Sequence, residues 1–258
     1  MIQQLIEAGQ GPALILLHGF PLDRSMWANQ LAELSSRYRV ITPDLSGHGG
    51  TPLSAKGQTI DGLADDVITL LDQLGLVEPV VVGGLSMGGY VALALVVRYP
   101  NRLRGLILMN TRAGADAPET ARVREDLARA VETAGNSAIV VQMMLPKLFA
   151  PTTYRTQPAI VEAIRKVMAA SSAAGVAATS RALAVRPSRL GDLASIKVPT
   201  LVIAGSDDQL IPLSESQAMA EAIAGSELVI IPDSGHLSPL ENPTATNAAI
   251  LGFLGRLA

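Results

Sequence analysis

Gly84-Leu85-Ser86-Met87-Gly88 is the stretch of this sequence that decides the fold. It follows a short Val-rich run at 79–83 and precedes a run of helix-forming residues at 90–97. A serine hydroxyl is a weak nucleophile unless a sharp strand-to-helix turn exposes it to a neighbouring base. The flanking glycines leave room for such a turn. The stretch therefore predicts a nucleophile elbow with Ser86 as the nucleophile; the alternative is a glycine-rich turn that carries an incidental serine.

A histidine downstream of this serine is the candidate base. The sequence contains three histidines, His18, His48 and His236. Sites built on a strand-turn-helix serine run in the chain order serine, acid, histidine, so only His236 qualifies. It follows an apolar run at 228–231 and a turn-forming Pro-Asp-Ser-Gly segment, which is typical of the C-terminal edge of a parallel sheet. His236 is the predicted base, and the alternative is a histidine of a surface loop.

Carboxylates that directly follow a strand are the candidates for the acid. Asp207 and Asp208 follow the apolar run at 201–205, so either would lie at the same edge of the sheet. The acid would accept the proton on the far imidazole nitrogen of His236 and fix its tautomer. Asp233 is a weaker third candidate, because a short loop before His236 gives it poor reach to the ring. These residues alone leave the choice open.

The negative charge that develops on the substrate requires backbone N–H donors. One comes from the residue after the nucleophile, here Met87, and the other from a loop after an early strand. An apolar run at 13–17 followed by His-Gly-Phe-Pro supplies that loop. Phe20 is its predicted donor, because Pro21 has no N–H. His18 is interpreted as a structural loop residue rather than a base.

Short apolar runs alternate with helical patterns over most of the chain, which predicts an α/β fold with a mostly parallel, doubly covered sheet. One further short strand over 2–7 fits before them, so about seven strands are expected. A helix at 60–74 is expected to pack on the sheet. The other predicted strands are 13–17, 40–42, 80–83, 106–109, 201–204 and 228–231.

The strand rhythm stops between Met109 and Val198, where helical patterns take over. An insertion at this point would lie over the catalytic crevice, line the pocket and exclude water. We therefore expect an α/β core formed by residues 1–111 and 196–258 and a helical cap formed by 112–195. The predicted cap helices are 119–133, 137–148, 158–170 and 173–184.

Two features of the cap bear on the substrate. Met143 and Leu148 belong to its most apolar cluster and are candidate substrate contacts, with ordinary packing as the alternative. Residues 112–194 contain 11 Lys or Arg and 7 Asp or Glu, a net charge of +4 against −7 for the remainder. A basic cap would favour an anionic substrate, such as a keto-acid lactone or a monoester of a diacid. The alternative is a solvated, arginine-rich helical surface.

Composition agrees with a single soluble domain. The chain has 258 residues, is 48% hydrophobic and carries a net charge of −3, which argues against nucleic acid as a partner. No apolar run is long enough for a membrane span and no secretory signal is visible, so the cytoplasm is the expected compartment. The absence of cysteine excludes disulfides and a thiol nucleophile. No cluster has metal-ligand spacing, and no metal or organic cofactor is expected.

Five motifs, in this order and spacing, resemble the block motifs of the α/β-hydrolase superfamily. The resemblance covers nearly the whole chain and looks most like small bacterial carboxylesterases and 3-oxoadipate enol-lactonase-like hydrolases. Family members usually begin with two antiparallel strands, and here there is room for one. The motifs are His18-Gly-Phe-Pro, Asp44-Leu-Ser-Gly-His-Gly-Gly-Thr, Gly84-Leu-Ser-Met-Gly-Gly, Gly205-Ser-Asp-Asp-Gln-Leu-Ile-Pro and Gly235-His-Leu-Ser-Pro-Leu-Glu-Asn-Pro.

The resemblance implies Asp208 rather than Asp207 as the acid, and a structural loop for Asp44 and His48. The predicted function is hydrolysis of a small carboxylic ester or lactone by Ser86 through an acyl-enzyme intermediate. Two alternatives are open, both implied by the resemblance. One is a small-molecule receptor or signalling protein that carries the same triad. The other is a carbon–carbon bond hydrolase or a cofactor-free perhydrolase.

Overall fold

The computed structural model describes residues 4–55 and 57–257. Within them, seven strands form one sheet: β1 (Leu5–Ala8), β2 (Ala13–Leu17), β3 (Arg39–Pro43), β4 (Val80–Leu85), β5 (Leu103–Met109), β6 (Thr200–Gly205) and β7 (Glu227–Ile231). Their order across the sheet is β1-β3-β2-β4-β5-β6-β7. β1 pairs antiparallel with β3, and the remaining pairs are parallel. The predicted seven-stranded, mostly parallel sheet is confirmed.

The strand ends differ slightly from the predicted ones. β4 continues through Leu85, because the strand runs directly into the serine turn. β5 begins at Leu103, three residues earlier than predicted, since the half-buried Arg104 interrupts the apolar pattern without ending the ladder. Part of the predicted first strand, residues 2 and 3, lies outside the described residues, and β1 covers Leu5–Ala8.

Helices cover both faces of the sheet, which is why β4 and β6 are buried at all their positions. No helix in residues 4–55 and 57–257 is long and apolar enough to cross a membrane. The helices are α1 (Ala28–Leu34), α2 (Ile60–Gln73), α3 (Met87–Arg98), α4 (Pro118–Ala134), α5 (Ala138–Met144), α6 (Pro151–Thr156), α7 (Pro158–Ala170), α8 (Ala173–Ala184), α9 (Leu213–Ala222), α10 (Ser238–Glu241) and α11 (Pro243–Gly255).

Helices α4 to α8 lie between β5 and β6, within the segment predicted to be the cap. α4 packs along α8, and Arg181 of α8 forms ion pairs with Glu125 and Glu132 of α4. The single helix expected at 137–148 is wrong: α5 ends at Met144 and a 3-10 turn follows, because Pro146 has no N–H to extend the helix. The short helix α6 was not predicted. The division into core and cap at 112 and 195 stays a prediction.

The sheet order determines where the functional residues meet. β4, β5, β6 and β7 are consecutive neighbours and parallel, so their carboxyl ends lie at one edge. Ser86 follows β4, Asn110 follows β5, Asp207 and Asp208 follow β6, and the loop of His236 follows β7. Residues far apart in sequence are therefore brought to one crevice, as expected for an α/β sheet.

Candidate active site

Ser86 occupies a strained turn between β4 and α3. Its backbone has φ 54° and ψ −111°, a conformation that costs a non-glycine residue of order 1–3 kcal/mol. Hydrogen bonds hold the turn: the Ser86 N–H donates to the Met109 carbonyl at 2.9 Å, and the Thr111 hydroxyl donates to the Ser86 carbonyl at 2.8 Å. The geometry is that of a nucleophile elbow.

The two outer glycines of the motif are required by close backbone contacts. A Cβ on Gly84 would lie 2.1 Å from the Gly88 carbonyl oxygen, and a Cβ on Gly88 would lie 2.1 Å from the Leu17 carbonyl oxygen. No side chain fits at either distance. The turn is therefore pressed against the end of β2, where the loop that contains Phe20 begins.

His236 and Asp208 form a buried hydrogen-bonded pair. The Nδ1 atom of His236 lies 2.9 Å from Oδ2 and 3.1 Å from Oδ1 of Asp208. Because a carboxylate only accepts, Nδ1 carries the proton and Nε2 is free to accept another. Ser86 and His236 line the same cavity. This arrangement can move a proton between a serine hydroxyl and an imidazole.

Asp208 is held ionised by its surroundings. The N–H groups of Leu210 and Ile211 donate to Oδ1 at 2.8 and 3.0 Å, and the Asn110 amide donates to Oδ2 at 3.0 Å. Burial acts to raise the pKa of Asp208, but the charge of His236 and these hydrogen bonds outweigh it and lower the pKa below its usual value. The group is a carboxylate at neutral pH.

The other two candidate acids do not contact His236. Asp207 and Asp233 are exposed. The hydroxyl of Ser206 donates to the Asp207 carboxylate at 2.6 Å, and Asp233 has φ 52° in the turn after β7. Of the three carboxylates considered from the sequence, the structure brings Asp208 to the imidazole.

Asn110 is a residue of the site that the sequence analysis missed. Its side-chain amide donates to both Asp208 and the Gly235 carbonyl, at 3.0 and 3.1 Å, and its oxygen accepts from the Ser238 hydroxyl at 2.6 Å. It therefore links the acid to the loop of the base. The signal was available, because Asn110 directly follows β5, and the aspartates lie in the corresponding loop after β6.

The two amides predicted to bind the oxyanion lie beside the nucleophile. Met87 is the first residue of α3, where a helix leaves N–H groups without intrahelical acceptors. Phe20 lies in the loop after β2, and its peptide bond to Pro21 is cis. Both residues line the cavity together with Ser86. Their role as donors stays a prediction.

His18 and His48 lie in buried structural contacts. The Leu45 N–H donates to Nε2 of His18 at 3.0 Å, and Nδ1 lies 3.0 Å from the Gly19 carbonyl, so His18 is a neutral Nδ1–H tautomer. Nε2 of His48 lies 3.0 Å from the Thr179 hydroxyl on α8. Burial lowers the pKa of both imidazoles, and nearby His18 lowers that of His48 further.

The cavity has a volume of about 320 Å³ and receives side chains from both the core and the cap. Met143 lines it, as does its neighbour Met144. Leu148, the second predicted cap contact, is not part of the wall: its side chain is 1% exposed in the core. The turn after α5 instead places the Leu148 carbonyl beside His236. The backbone N–H of His236 donates a hydrogen bond to this carbonyl at 2.9 Å.

The wall of the cavity is cationic. Arg112, Arg124 and Lys147 contribute to it, and no carboxylate among residues 4–55 and 57–257 does. Beneath this wall, the fully buried Asp116 carboxylate pairs with Arg112 at 2.5 Å, with Arg186 at 2.7 Å, and with Arg124. One carboxylate facing three guanidinium groups leaves an excess of positive charge at this wall. A basic cap was expected from the sequence, but which of its cations face the site was not.

Asp116→Asn is expected to lower the free energy of unfolding by about 3–5 kcal/mol, because buried Arg186 would lose its counter-charge. Burial acts to raise the pKa of Asp116, but Arg124 and Arg186 lower it overall. A carboxyl whose pKa is lowered by folding stabilises the fold at any pH above its pKa in the unfolded chain, which is about 4. This stabilisation is lost as the pH falls through the pKa of the group in the folded protein. The free energy of unfolding, measured by urea denaturation, should therefore differ less between wild type and variant at pH 3 than at pH 7.

The matched control is Glu119→Gln, because Glu119 also begins the α4 region but forms an exposed pair with Arg122. It should leave the unfolding midpoint unchanged. Equal effects of the two substitutions would show that the Asp116 cluster contributes no special stability.

The sequence profile of the alpha/beta hydrolase family matches residues 14–249. The 3-oxoadipate enol-lactonase 2 of Acinetobacter baylyi is 33% identical over 248 residues, which is 95% of this chain and 89% of that protein. Within residues 4–55 and 57–257, no three His or carboxylate side chains form a group that could hold a metal ion.

Two solved structures are similar over nearly their whole length. A thermophilic esterase from Thermogutta terrifontis (malate bound) has a TM-score of 0.96 at 40% identity, covering 99% of this chain and 93% of that chain. The enol-lactonase from Burkholderia xenovorans LB400 has a TM-score of 0.90 at 31% identity, covering 98% and 96%. With the strained serine turn and the sheet order, these matches establish that the chain belongs to the alpha/beta hydrolase family.

Proposed function

We propose that this protein is a serine hydrolase that cleaves a small carboxylic ester or lactone through an acyl-enzyme intermediate. The observation that carries the proposal is the strained turn of Ser86 in a cavity shared with His236, whose Nδ1 is bound by Asp208. The relatives named as an enol-lactonase and as an esterase support the choice of ester or lactone.

The proposed reaction uses the residues of the elbow and the neighbouring loops. The Ser86 hydroxyl attacks the acyl carbon while Nε2 of His236 takes its proton, and Asp208 stabilises the imidazolium. The N–H groups of Phe20 and Met87 bind the negative charge on the acyl oxygen. His236 then returns the proton to the leaving alcohol. Water, activated by the same imidazole, releases the acid and restores the serine.

The acyl group is proposed to carry a second, anionic group. The cations Arg112, Arg124 and Lys147 on one cavity wall support this, because an anion entering there meets excess positive charge. Two relatives agree with this: one is a 3-oxoadipate enol-lactonase and the other is an esterase with malate bound, and 3-oxoadipate and malate are both dicarboxylates. A cavity of about 320 Å³ is at the lower end of the roughly 300–1,000 Å³ typical of ligand sites, which favours short acyl chains.

A panel of p-nitrophenyl esters tests this function. It contains acetate, butyrate, valerate, octanoate and decanoate, and the monoester of glutaric acid as the anionic match to the five-carbon valerate. We expect multiple turnovers, the highest kcat/KM among neutral esters at acetate or butyrate, and a preference of about tenfold for the anionic ester over neutral valerate. A single turnover without further product would contradict hydrolysis and favour a receptor.

Two substitutions separate cavity charge from overall charge. Lys147→Gln removes a cation of the cavity wall, and Lys166→Gln removes a cation of α7 that pairs with Glu162 outside the cavity. The ratio of kcat/KM for the anionic and neutral esters should fall several-fold in the first variant and stay unchanged in the second. If the ratio is the same in both variants, the proposed ester hydrolysis still stands, but the proposed anionic substrate is contradicted.

A further inference from the structure

A second buried carboxylate, Glu241 at the end of α10, lies behind the catalytic histidine. Glu241 is 5% exposed, and its two oxygens accept four hydrogen bonds. Oε1 accepts from the N–H groups of Gly235 and Leu237, at 2.9 and 3.2 Å. These two residues flank His236, so this oxygen holds the backbone on both sides of the base.

The other oxygen of Glu241 binds the cap segment. Oε2 accepts from the Ala150 N–H at 2.8 Å and from the Thr153 hydroxyl at 2.7 Å. Both groups lie at the start of α6. A single carboxylate therefore connects the loop of the base to the part of the cap that follows the cavity-lining helix α5.

Direct backbone contacts strengthen this connection. The N–H of His236 donates to the Leu148 carbonyl at 2.9 Å. A Cβ on Gly235 would lie 2.6 Å from the Ala150 nitrogen, so the two segments approach as closely as glycine allows. The side-chain amide of Gln157 also donates to the Glu241 carbonyl at 3.2 Å. The loop of the base and residues 148–153 are thus held backbone to backbone.

Three of the four partners of Glu241 are backbone N–H groups and the fourth is a hydroxyl that can donate, so an ionised carboxylate satisfies all four. Burial raises the pKa of Glu241, and the four hydrogen bonds offset part of that effect. No Lys or Arg of the described chain forms an ion pair with it. A buried carboxylate without a cation is costly, so a neutral side chain would be expected here if packing were its sole task.

We propose that Glu241 is a positioning residue for His236, which fixes the base and the cap segment 148–153 relative to each other. The proposal rests on the proposed function, in which His236 is the base. It implies that loss of the Thr153 hydroxyl, which donates to Glu241, alters the reaction at His236. Thr153 itself does not line the cavity.

Glu241→Gln tests the proposal, because glutamine keeps the size but turns an NH₂ group toward two of the four donors. We expect kcat on the butyrate ester to fall on the order of 30- to 100-fold, as for a base displaced by about 1 Å, with a smaller change in KM. Thr153→Val keeps the charge and removes one cap-side donor, and should lower kcat about three- to tenfold. All measurements are made on folded protein, well below the Tm of each variant.

A spectroscopic measurement separates positioning from stability. The proton between His236 and Asp208 gives a downfield NMR signal that reports their hydrogen bond, and both variants should shift or broaden it. Glu227→Gln is the control: Glu227 is exposed and pairs with Arg256, so kcat and the signal should match those of wild type.

The outcomes are distinguishable. A kcat within threefold of wild type and an unchanged signal in Glu241→Gln, with a lowered Tm, would overturn the proposal and leave Glu241 a structural residue. If that variant does not fold, Thr153→Val decides by the same two measurements. If wild type shows no Ser86-dependent turnover, the proposed function fails, and the NMR signal still decides whether Glu241 positions His236.

Discussion

Ser86→Ala is expected to lower kcat on p-nitrophenyl butyrate at least on the order of 10⁴-fold while the protein stays folded. The hydroxyl is the group that forms the acyl-enzyme, and the remaining imidazole and amides cannot replace it. Alanine keeps the Cβ at φ 54°, so the strained turn and its hydrogen bond from Thr111 are retained. Circular dichroism and Tm should therefore match those of wild type.

A covalent probe gives the same answer by another route. A fluorophosphonate should label wild type at Ser86, identified by mass spectrometry of the modified peptide, and should not label Ser86→Ala. The control is Ser36→Ala, because Ser36 is an exposed serine whose hydroxyl donates to the Glu33 carbonyl; it should keep full activity and labelling. Residual activity above a few per cent in Ser86→Ala, or a label on another serine, would end the proposed mechanism.

The elbow could be predicted from sequence because its requirements are local. A side chain at Gly84 or Gly88 would clash with the turn itself or with the adjacent strand. Both glycines are therefore required by contacts close to the motif, and the motif can be recognised from the sequence alone. The strands were recognisable for a similar reason, since a strand buried on both faces is a short apolar run between turn residues. Sheet order then follows from few alternatives, because parallel crossovers are right-handed and sequential strands tend to be neighbours.

Asn110 and Glu241 illustrate what the sequence could not supply. Asn110 contacts an acid 98 residues away, and Glu241 contacts a cap residue 91 residues away. The sequence shows that Asn110 follows a strand and that Glu241 belongs to the last motif, but not which groups their side chains contact. Their roles exist only once the edges of β5, β6 and β7 are brought together and the cap is folded over them.

The cap was the least predictable segment for a related reason. Arg122 and Arg124 are two positions apart on α4, yet the first is exposed and the second lines the cavity. Which face of α4 meets α8 is decided by packing between the two helices, not by the arginines. Leu148 shows the same limit, because the turn that Pro146 introduces after α5 turns its side chain into the core.

Asp208→Asn is expected to lower kcat on the order of 10³-fold or more, and Asp207→Asn less than tenfold. At the Oδ2 position, the NH₂ group of asparagine would face the Nδ1–H of His236 and the amide of Asn110. At the Oδ1 position, it would face the N–H groups of Leu210 and Ile211. In both orientations a donor meets a donor, and the imidazole loses the charge that stabilises its protonated form.

The neighbouring residue provides a matched comparison, because Asp207 is the same residue type in the same loop after β6 but is exposed and bonded to Ser206. Both variants are assayed on the butyrate ester at pH 7 and pH 8.5, with Tm measured in parallel. If poor orientation of His236 causes the loss, we expect a similar loss at both pH values. Comparable losses of kcat in both variants would mean that the loop after β6 acts through its backbone alone. A large loss confined to Asp207→Asn would show that Asp207, not Asp208, is the acid.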